Sequence, residues 1–485
     1  MPNKISRPTI LSSLLSLTLA GCLLIVPTRW AFQQEASKQE SRTKVQQISS
    51  HIILISISGL RPDIVSNAEL HRLRIPTIKS LQAKGSHAVG VESVFPSQTL
   101  PAHATIATGT LPADHGITSD YPFDEITATQ SRAAYKSASE IKTDTIWELA
   151  QRANLVTAAV GYPLTAEAAI NFNLPDFSEG ENGLLNRSAK YQHDNPPDLR
   201  SEALSALKSE SEVKPIGKNN KVLIQPQDLF KASAATYLIE KYRPNLMLVN
   251  FKSLDVTQRR YGLLSIESFR SLEMLDDLVK KTVDAIERAR MTDETTFIVV
   301  SDYGAAKVER EFNPNVVLAK KGWLTSDAQG RIVSWRAVAQ TFGGSAAIFV
   351  RNPQDENFVR EVEDLFRQQY EKPDSPIWRV IPRRDAARLG ADPRVAFYLD
   401  VAPSYSMSCR TTGSTIIKAT DRTAHGYSPS RSEMRATFIT AGKGVKPGVK
   451  IEYVRLIDIA PTIARLFGLE MKTARGRVLT EVINQ

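Results

Sequence analysis

One run of residues constrains the fold more than any other. His51-Ile52-Ile53-Leu54-Ile55-Ser56-Ile57 is apolar almost throughout and ends in Ser58-Gly59. A strand with one wet face alternates apolar and polar side chains. A run that is apolar at odd and even positions alike belongs to a central strand covered on both faces. The same texture returns from Val156 to Val160, in Asn245-Leu246-Met247-Leu248-Val249-Asn250-Phe251, from Thr295 to Val300, and late in Arg435-Ala436-Thr437-Phe438-Ile439. Helical patterns lie between these runs: Thr77 to Lys84, Asp144 to Ala150, and Leu456 to Phe467. The longest carries Leu264, Phe269, Leu272, Leu275, Leu278, Val279 and Ile286 at amphipathic spacing. Buried strands alternating with such helices predict an α/β fold, a doubly wound sheet with helices on both faces. Ligands of such sheets bind beyond the C-terminal ends of the strands. The polar residues to inspect are therefore Ser58, Thr99, Asp255, Asp302 and the segment around His425.

Phe95-Pro96-Ser97-Gln98-Thr99-Leu100-Pro101-Ala102-His103 follows a strand-like run, Ala88 to Val94, and leads into a short helical pattern ending at Gly109. Pro101 suits a first helical turn, where its missing N–H is not needed. Thr99 then sits at or just before a helix N-terminus, where free N–H groups and the positive dipole end face any ligand. A hydroxyl there is either a helix cap or a nucleophile for phosphoryl transfer.

The N-terminus reads as a targeting segment. Lys4 and Arg7 precede an apolar run from Ile10 to about Val26, followed by Pro27 and Arg29. Residues 1–29 are a signal peptide or a membrane anchor, and both place the body outside the cytoplasm, on the periplasmic or cell-surface side. Leu19-Ala20-Gly21-Cys22 is similar to the bacterial lipoprotein processing box, so lipidation and a single span both stand. Residues 30–48 are a polar tether and 49–470 the folded part, with an irregular insertion at about 180–225 and a smaller subdomain at about 323–424. The net charge is +9, yet no basic stripe is interleaved with aromatics, so no nucleic-acid partner is expected. Cys22 and Cys409 are too few for a disulfide framework or a C-x-x-C site. Nothing in the pattern sets an oligomeric state.

Taken together, the motifs resemble the type I phosphodiesterase / nucleotide pyrophosphatase branch of the alkaline phosphatase superfamily. They are Ile53 to Asp63, Val94 to His103, Thr108 to Ile117, Val299-Val300-Ser301-Asp302-Tyr303-Gly304 and Ala424-His425-Gly426-Tyr427. Asn313-Pro314-Asn315 and Asp458 to Thr462 add to the likeness. The resemblance implies an alkaline-phosphatase-like core, two zinc ions held by six Asp and His ligands, a Thr or Ser nucleophile, and a phosphoester small molecule as substrate. Matched motif by motif, Thr99 is the nucleophile, and Asp255, Asp302 and His425 fall on metal-ligand positions. The other three ligand positions hold Ser58, Arg259 and Tyr303. Asp120 stands where nucleotide-cleaving members carry an Asn that helps hold the phosphate, so Thr99, Asp120 and Arg259 form the implied phosphate-binding set.

These departures bear on the chemistry. A catalytic zinc needs three protein ligands as a rule, and an arginine cannot ligate because it stays protonated. Asp63 offers no rescue for Ser58, because it belongs to the helix that follows. Two aspartates facing one cleft without a metal repel each other. The Arg259 guanidinium, with Arg260 beside it, either neutralises them and binds phosphate bidentately or points to solvent. His103 and His115 read as buried, hydrogen-bonded histidines. Two functions follow from the resemblance: a phosphodiesterase-type hydrolase acting through phospho-Thr99 with altered metal dependence, or an inactive relative that keeps the fold as an anion-binding or scaffold module.

Overall fold

The structure is a computed structural model that describes residues 47–130, 134–176, 193–207, 216–218 and 221–484. The expected leader or anchor and nearly all of the tether lie outside the described residues. So do residues 177–192, 208–215 and 219–220, which take in much of the expected insertion. Among the described residues no helix is long and apolar enough to cross a membrane.

Eight strands form the main sheet. In chain order they are β1 (His51–Ile57), β2 (Ser86–Ala88), β3 (Thr157–Val160), β4 (Phe172–Leu174), β5 (Leu246–Phe251), β6 (Thr295–Val300), β7 (Phe438–Gly442) and β8 (Lys450–Ile451). Their order across the sheet is β8-β2-β7-β6-β1-β5-β3-β4. β1 is central and pairs in parallel with β5 and β6, and β7 runs antiparallel to both β6 and β2. The helices are α1 (Pro76–Lys84), α2 (Thr99–Thr108), α3 (Ile146–Arg152), α4 (Pro226–Tyr242), α5 (Ser253–Tyr261), α6 (Ile266–Arg288) and α7 (Ile459–Leu466).

The unbroken apolar run of β1 is explained by what covers it. Ile53, Ile55 and Ile57 pack into one core with Ile78 of α1, Phe230 and Leu238 of α4, and Leu275 and Val279 of α6. Ile52 and Leu54 pack into another with Ile106 of α2, Trp147 of α3 and Ile463 of α7. All five of these β1 side chains are fully buried, each contributing about 1.5–3 kcal/mol relative to exposure. Helices cover both faces of the sheet, as the pattern predicted.

Some boundaries differ from the expectation. The strand-like run Ala88 to Val94 is broken at Val89-Gly90: β2 pairs with β8, whereas Val91–Glu92 pairs with Val454–Arg455. A Cβ on Gly90 would lie 3.2 Å from the Arg435 side chain, so the chain passes close to a neighbour there. The late strand lies at Phe438–Gly442, not Arg435–Ile439, because its ladder begins where β6 ends, at the pair Val300–Phe438. Leu264 lies ahead of α6 and is exposed, since Ser265 caps that helix by accepting from the Ser268 N–H. Thr145 likewise caps α3, which leaves Asp144 outside it.

A second, antiparallel sheet is formed by Ala337–Thr341, Ser345–Val350, Phe397–Val401 and Ile377–Pro382. It has its own apolar core, with Ile348, Phe366, Phe397 and Leu399 at its centre. Its edge reaches the main body where Gln340 Nε2 donates to the Tyr121 carbonyl at 2.8 Å and where Phe95 meets Tyr398, ring centroids 4.8 Å apart.

Candidate functional site

Register brings the strand ends together. Ile57 pairs with Phe251, and Ser56 with Val300. The residues that leave β1, β5 and β6 are therefore neighbours: Ser58, then Lys252 to Asp255, then Ser301-Asp302. Ser58, Thr99, Asp120, Asp255, Arg259, Tyr303 and His425 line one cleft of about 630 Å³. The fully buried Asp302 precedes Tyr303 and accepts its N–H.

Thr99 is the first residue of α2. Gln98 occupies the cap position with no side-chain capping bond, so the Thr99 hydroxyl is not spent on the helix. Its Oγ1 lies 2.9 Å from the Tyr303 hydroxyl. Tyr303 is buried and stacks on His425, ring centroids 4.1 Å apart and planes 21° from parallel. Burial, then the carboxylates of Asp255 and Asp302, push the Tyr303 hydroxyl well above the usual phenol range. It stays protonated and cannot serve as a base for Thr99.

Asp302 Oδ1 accepts the N–H groups of Gly59 at 3.2 Å and Tyr303 at 3.0 Å. Its Oδ2 is buried 3.8 Å from His103 Nδ1, and the Ser58 hydroxyl hydrogen-bonds to the same carboxylate. Burial and the nearby Asp255 raise the Asp302 carboxyl to about 7. His103 is fully buried, and burial pushes it down to about 4, so its ring is neutral. Its Nε2 lies 3.1 Å from Asn250 Nδ2, an atom that can only donate, and 2.9 Å from Ser56 Oγ. The proton therefore sits on Nδ1, which donates to the Thr99 carbonyl at 2.8 Å. His103 thus fixes the backbone of Thr99. His115 is equally buried, between Thr105 Oγ1 at 3.0 Å and the Ile117 N–H at 3.1 Å.

Asp255 and Arg259 lie one turn apart on α5, a spacing that puts both on one face. Arg259 Nε is 3.2 Å from Asp255 Oδ2. The Arg259 carbonyl also accepts the Arg422 N–H at 2.7 Å, which ties α5 to the segment carrying His425. Arg260 instead faces outward, its guanidinium 5.4 Å from the Tyr261 ring centroid. His425 Nδ1 lies 3.2 Å from the Ser97 carbonyl. Asp120 is half-buried, and its Oδ1 accepts the Leu100 N–H at 2.8 Å. Burial raises its carboxyl above the usual range. Asp63 pairs with Arg61 at 2.6 Å and faces solvent, leaving Ser58 without a substitute carboxylate.

One part of the cleft was not read from the sequence. Lys252 pairs with Asp176, and buried Lys231 lies 3.3 Å from Asp228 and 3.6 Å from Asp176. Asp228 Oδ2 accepts the Lys252 and Ser253 N–H groups at 2.8 and 2.7 Å, capping α5 from another helix. Lys252 and Asp176 each follow a strand end, of β5 and β4, so the rule that singled out Asp255 also reaches them.

The donor set does not fit a pair of zinc ions. Among the described residues no group of three or more His, Cys, Asp or Glu side chains is placed to hold a metal ion. Asp255 already carries a guanidinium, and the protonated Tyr303 lies between Thr99 and His425. Asn313, Asn315 and Asp458 hold backbone groups: Asn313 Nδ2 donates to the Ser414 carbonyl, Asn315 Nδ2 to the Ala339 carbonyl, and Asp458 accepts the Arg455 N–H.

Comparison with known proteins agrees with the fold. Residues 52–436 match the family model described as Type I phosphodiesterase / nucleotide pyrophosphatase. Venom phosphodiesterase 2 of Crotalus adamanteus is 23% identical over 284 residues, which cover 58% of this chain and 30% of that protein. An uncharacterized pyrophosphatase/phosphodiesterase of Schizosaccharomyces pombe is 22% identical over 446 residues, 88% of this chain and 79% of that one. The match spans only about 30% of the length of the Crotalus relatives. Among solved structures, murine ectonucleotide pyrophosphatase / phosphodiesterase 5 superposes with a TM-score of 0.63 at 17% identity, covering 90% of this chain and 100% of that chain. An inactive form of that murine protein has been solved in complex with AMP.

Proposed function

Since the chain belongs to the type I phosphodiesterase / nucleotide pyrophosphatase family of the alkaline phosphatase superfamily, we propose that its cleft binds a phosphodiester-class small molecule without the two zinc ions, as a binding module and not a two-metal hydrolase. The observation that carries this reading is the Arg259 guanidinium, 3.2 Å from Asp255 in the cleft where the family would place a cation. A guanidinium is a planar, permanently charged donor that binds carboxylate and phosphate oxygens alike. Catalysis is disfavoured by what surrounds Thr99. Its hydroxyl is bonded to a phenol that stays protonated, and His103 directs its proton to the Thr99 carbonyl rather than its hydroxyl. Among the described residues, the hydrogen-bond partner of the Thr99 hydroxyl is the Tyr303 phenol, which is no base. The leader motif of residues 1–29 supports export and attachment to a membrane through the N-terminus.

The test uses a bis-aryl phosphodiester with the full-length chain, in zinc and in chelator, beside Thr99→Ala and Arg259→Ala. The expected result is binding that zinc and chelator leave unchanged, that Arg259→Ala weakens by about tenfold, and that produces no turnover above the Thr99→Ala background. Turnover raised by zinc and abolished by Thr99→Ala would overturn the proposal. Turnover that survives chelator but needs Thr99 would make the chain a hydrolase with Arg259 in place of a metal.

A further inference from the structure

Two lysine–aspartate pairs line the cleft, and they are not equivalent. Lys231 and Asp228, both on α4, lie 3.3 Å apart with side chains 2% and 1% exposed. Asp228 is also spent on α5, accepting the Lys252 and Ser253 N–H groups and the Ser253 hydroxyl. Lys252 and Asp176, which follow β5 and β4, pair with side chains 35% and 22% exposed. The first pair is closed off, and the second is open to whatever the cleft holds. Lys231 also lies 3.6 Å from Asp176, and its stem crosses the backbone at Gly161, where a Cβ would lie 2.3 Å from Lys231 Cε. Burial opposes the charge of Asp176, but Lys252 and Lys231 outweigh it and hold the carboxyl below the usual range. Burial likewise opposes the charge of Lys252, and Asp176, Asp228 and Asp120 outweigh it. Both members of the open pair are therefore ionised. An ammonium has three N–H donors and a carboxylate about four acceptor sites, and their own bond uses one of each. Gln227, in the same lining, has a buried Oε1 with no hydrogen-bond partner among the described residues. The cleft also carries apolar surface, where Tyr135 and Leu164 pack with Leu100.

Resting on the reading of the cleft as a phosphodiester site, we propose that the Lys252–Asp176 pair is a specificity-determining contact that reads a polyhydroxylated alcohol, such as glycerol or a sugar, on the ester. Lys231 and Lys252 against Asp176 and Asp228 leave this cluster with no net charge, which suits a neutral alcohol over a charged one. A hydroxyl donates and accepts at once, so neighbouring hydroxyls take a donor from Lys252 and an acceptor from Asp176 without stranding either charge. A plain alkyl chain would cover both charges and satisfy neither. A quaternary ammonium, which aromatic faces bind, has no N–H for Asp176 and meets the Lys252 charge. Tyr135, Leu164 and Leu100 supply apolar surface for the C–H groups of the same alcohol.

The experiment is calorimetric titration of the full-length chain with four diesters that share a phenyl phosphate and differ in the second alcohol: glycerol, propanol, choline and thymidine. The glyceryl ester differs from the propyl ester by two hydroxyls at equal charge and chain length. The native chain is expected to bind it at least about tenfold more tightly. Lys252→Met keeps the stem and removes the donors, and Asp176→Ala removes the acceptor; after either change Lys231 keeps Asp228 as its partner. Each should bring the glyceryl-to-propyl ratio within about twofold of unity. Lys136→Gln removes an exposed cation from the same cleft and should weaken all four esters alike, leaving the ratio as it was. Glycerophosphoglycerol beside dihexanoyl phosphatidylglycerol separates a free diester from a lipid headgroup: either one satisfies the proposal, and the tighter names the source. Equal binding of the glyceryl and propyl esters by the native chain would overturn the assignment. So would a ratio that survives both Lys252→Met and Asp176→Ala, or tighter binding of the choline or thymidine ester than of the glyceryl ester. Binding of none of the esters by the native chain would instead bring down the phosphodiester reading beneath it.

Discussion

At the scale of single residues, three substitutions act by three different means. Ser58, where the resemblance implies a carboxylate, offers a hydroxyl that accepts from Asn250 Nδ2 at 3.3 Å. Arg259 adds a fixed cation. Tyr303, at a position the resemblance implies for a ligand, is a phenol that holds Thr99. If these side chains are what keeps zinc out, then Ser58→Asp, Arg259→His and Tyr303→His combined should raise bound zinc from background to stoichiometric by equilibrium dialysis, and no single change should suffice. Tyr303→Phe removes one buried hydrogen bond and should cost about 1 kcal/mol in urea unfolding. The sequence singles out these three positions because each lies inside a recognisable motif. Their new partners were not legible. The Tyr303–Thr99 bond joins residues 204 apart, and nothing in either motif encodes it. The Arg259–Asp255 pair was half legible, since helical spacing places the two on one face but does not say that the guanidinium turns toward its neighbour.

At the scale of elements, α5 is held by a residue outside it. Asp228 accepts from Lys252, Ser253 and Lys231 while fully buried. Asp228→Ala would leave the Lys231 charge short of a partner and α5 uncapped. It should cost about 3–5 kcal/mol by urea unfolding, with Asp228→Asn less severe. A different element sets a pH dependence. His115 ends the short helix Pro112–His115, and burial pushes its imidazole down to about 3. The unfolded chain takes up a proton there near its ordinary value, whereas the folded chain resists it. The stability this group contributes is therefore complete above about pH 6.5 and is lost as the pH falls toward about 3. The stability advantage of the native chain over His115→Gln should narrow by roughly 2 kcal/mol between pH 7 and pH 5, measured as urea midpoints at each pH. Element types were legible where periodicity was long. Boundaries moved where a side chain decided them, as Ser265 does for α6 and Thr145 for α3.

At the scale of the whole molecule, the two sheets meet at the cleft. A Cβ on Gly344 would lie 2.0 Å from the Tyr427 ring, and one on Gly343 2.6 Å from the His425 carbonyl. The turn before Ser345–Val350 thus presses on the segment that carries His425. Gly344→Ala should destabilise the protein by more than about 3 kcal/mol, because neither neighbour can move without displacing that segment. A lowered thermal midpoint with altered near-ultraviolet dichroism of Tyr427 would show it. The main sheet was legible from its doubly apolar strands. The second sheet was seen only as the run Ala346 to Val350 and the helix near Asn357 to Tyr370, since its other strands are short and their partners distant in sequence.

The matched charges of the cleft carry a consequence for where such a protein can work. A two-metal relative is only as complete as the supply of its metal, and it falls silent where a host or a competitor withholds that metal. Here the counter-charges are synthesised with the chain: Arg259, Lys252 and Lys231 arrive already opposite Asp255, Asp176 and Asp228. On the zinc-free reading proposed above, the cleft is finished on folding and owes nothing to trace-metal nutrition, so metal scarcity would leave it as it was.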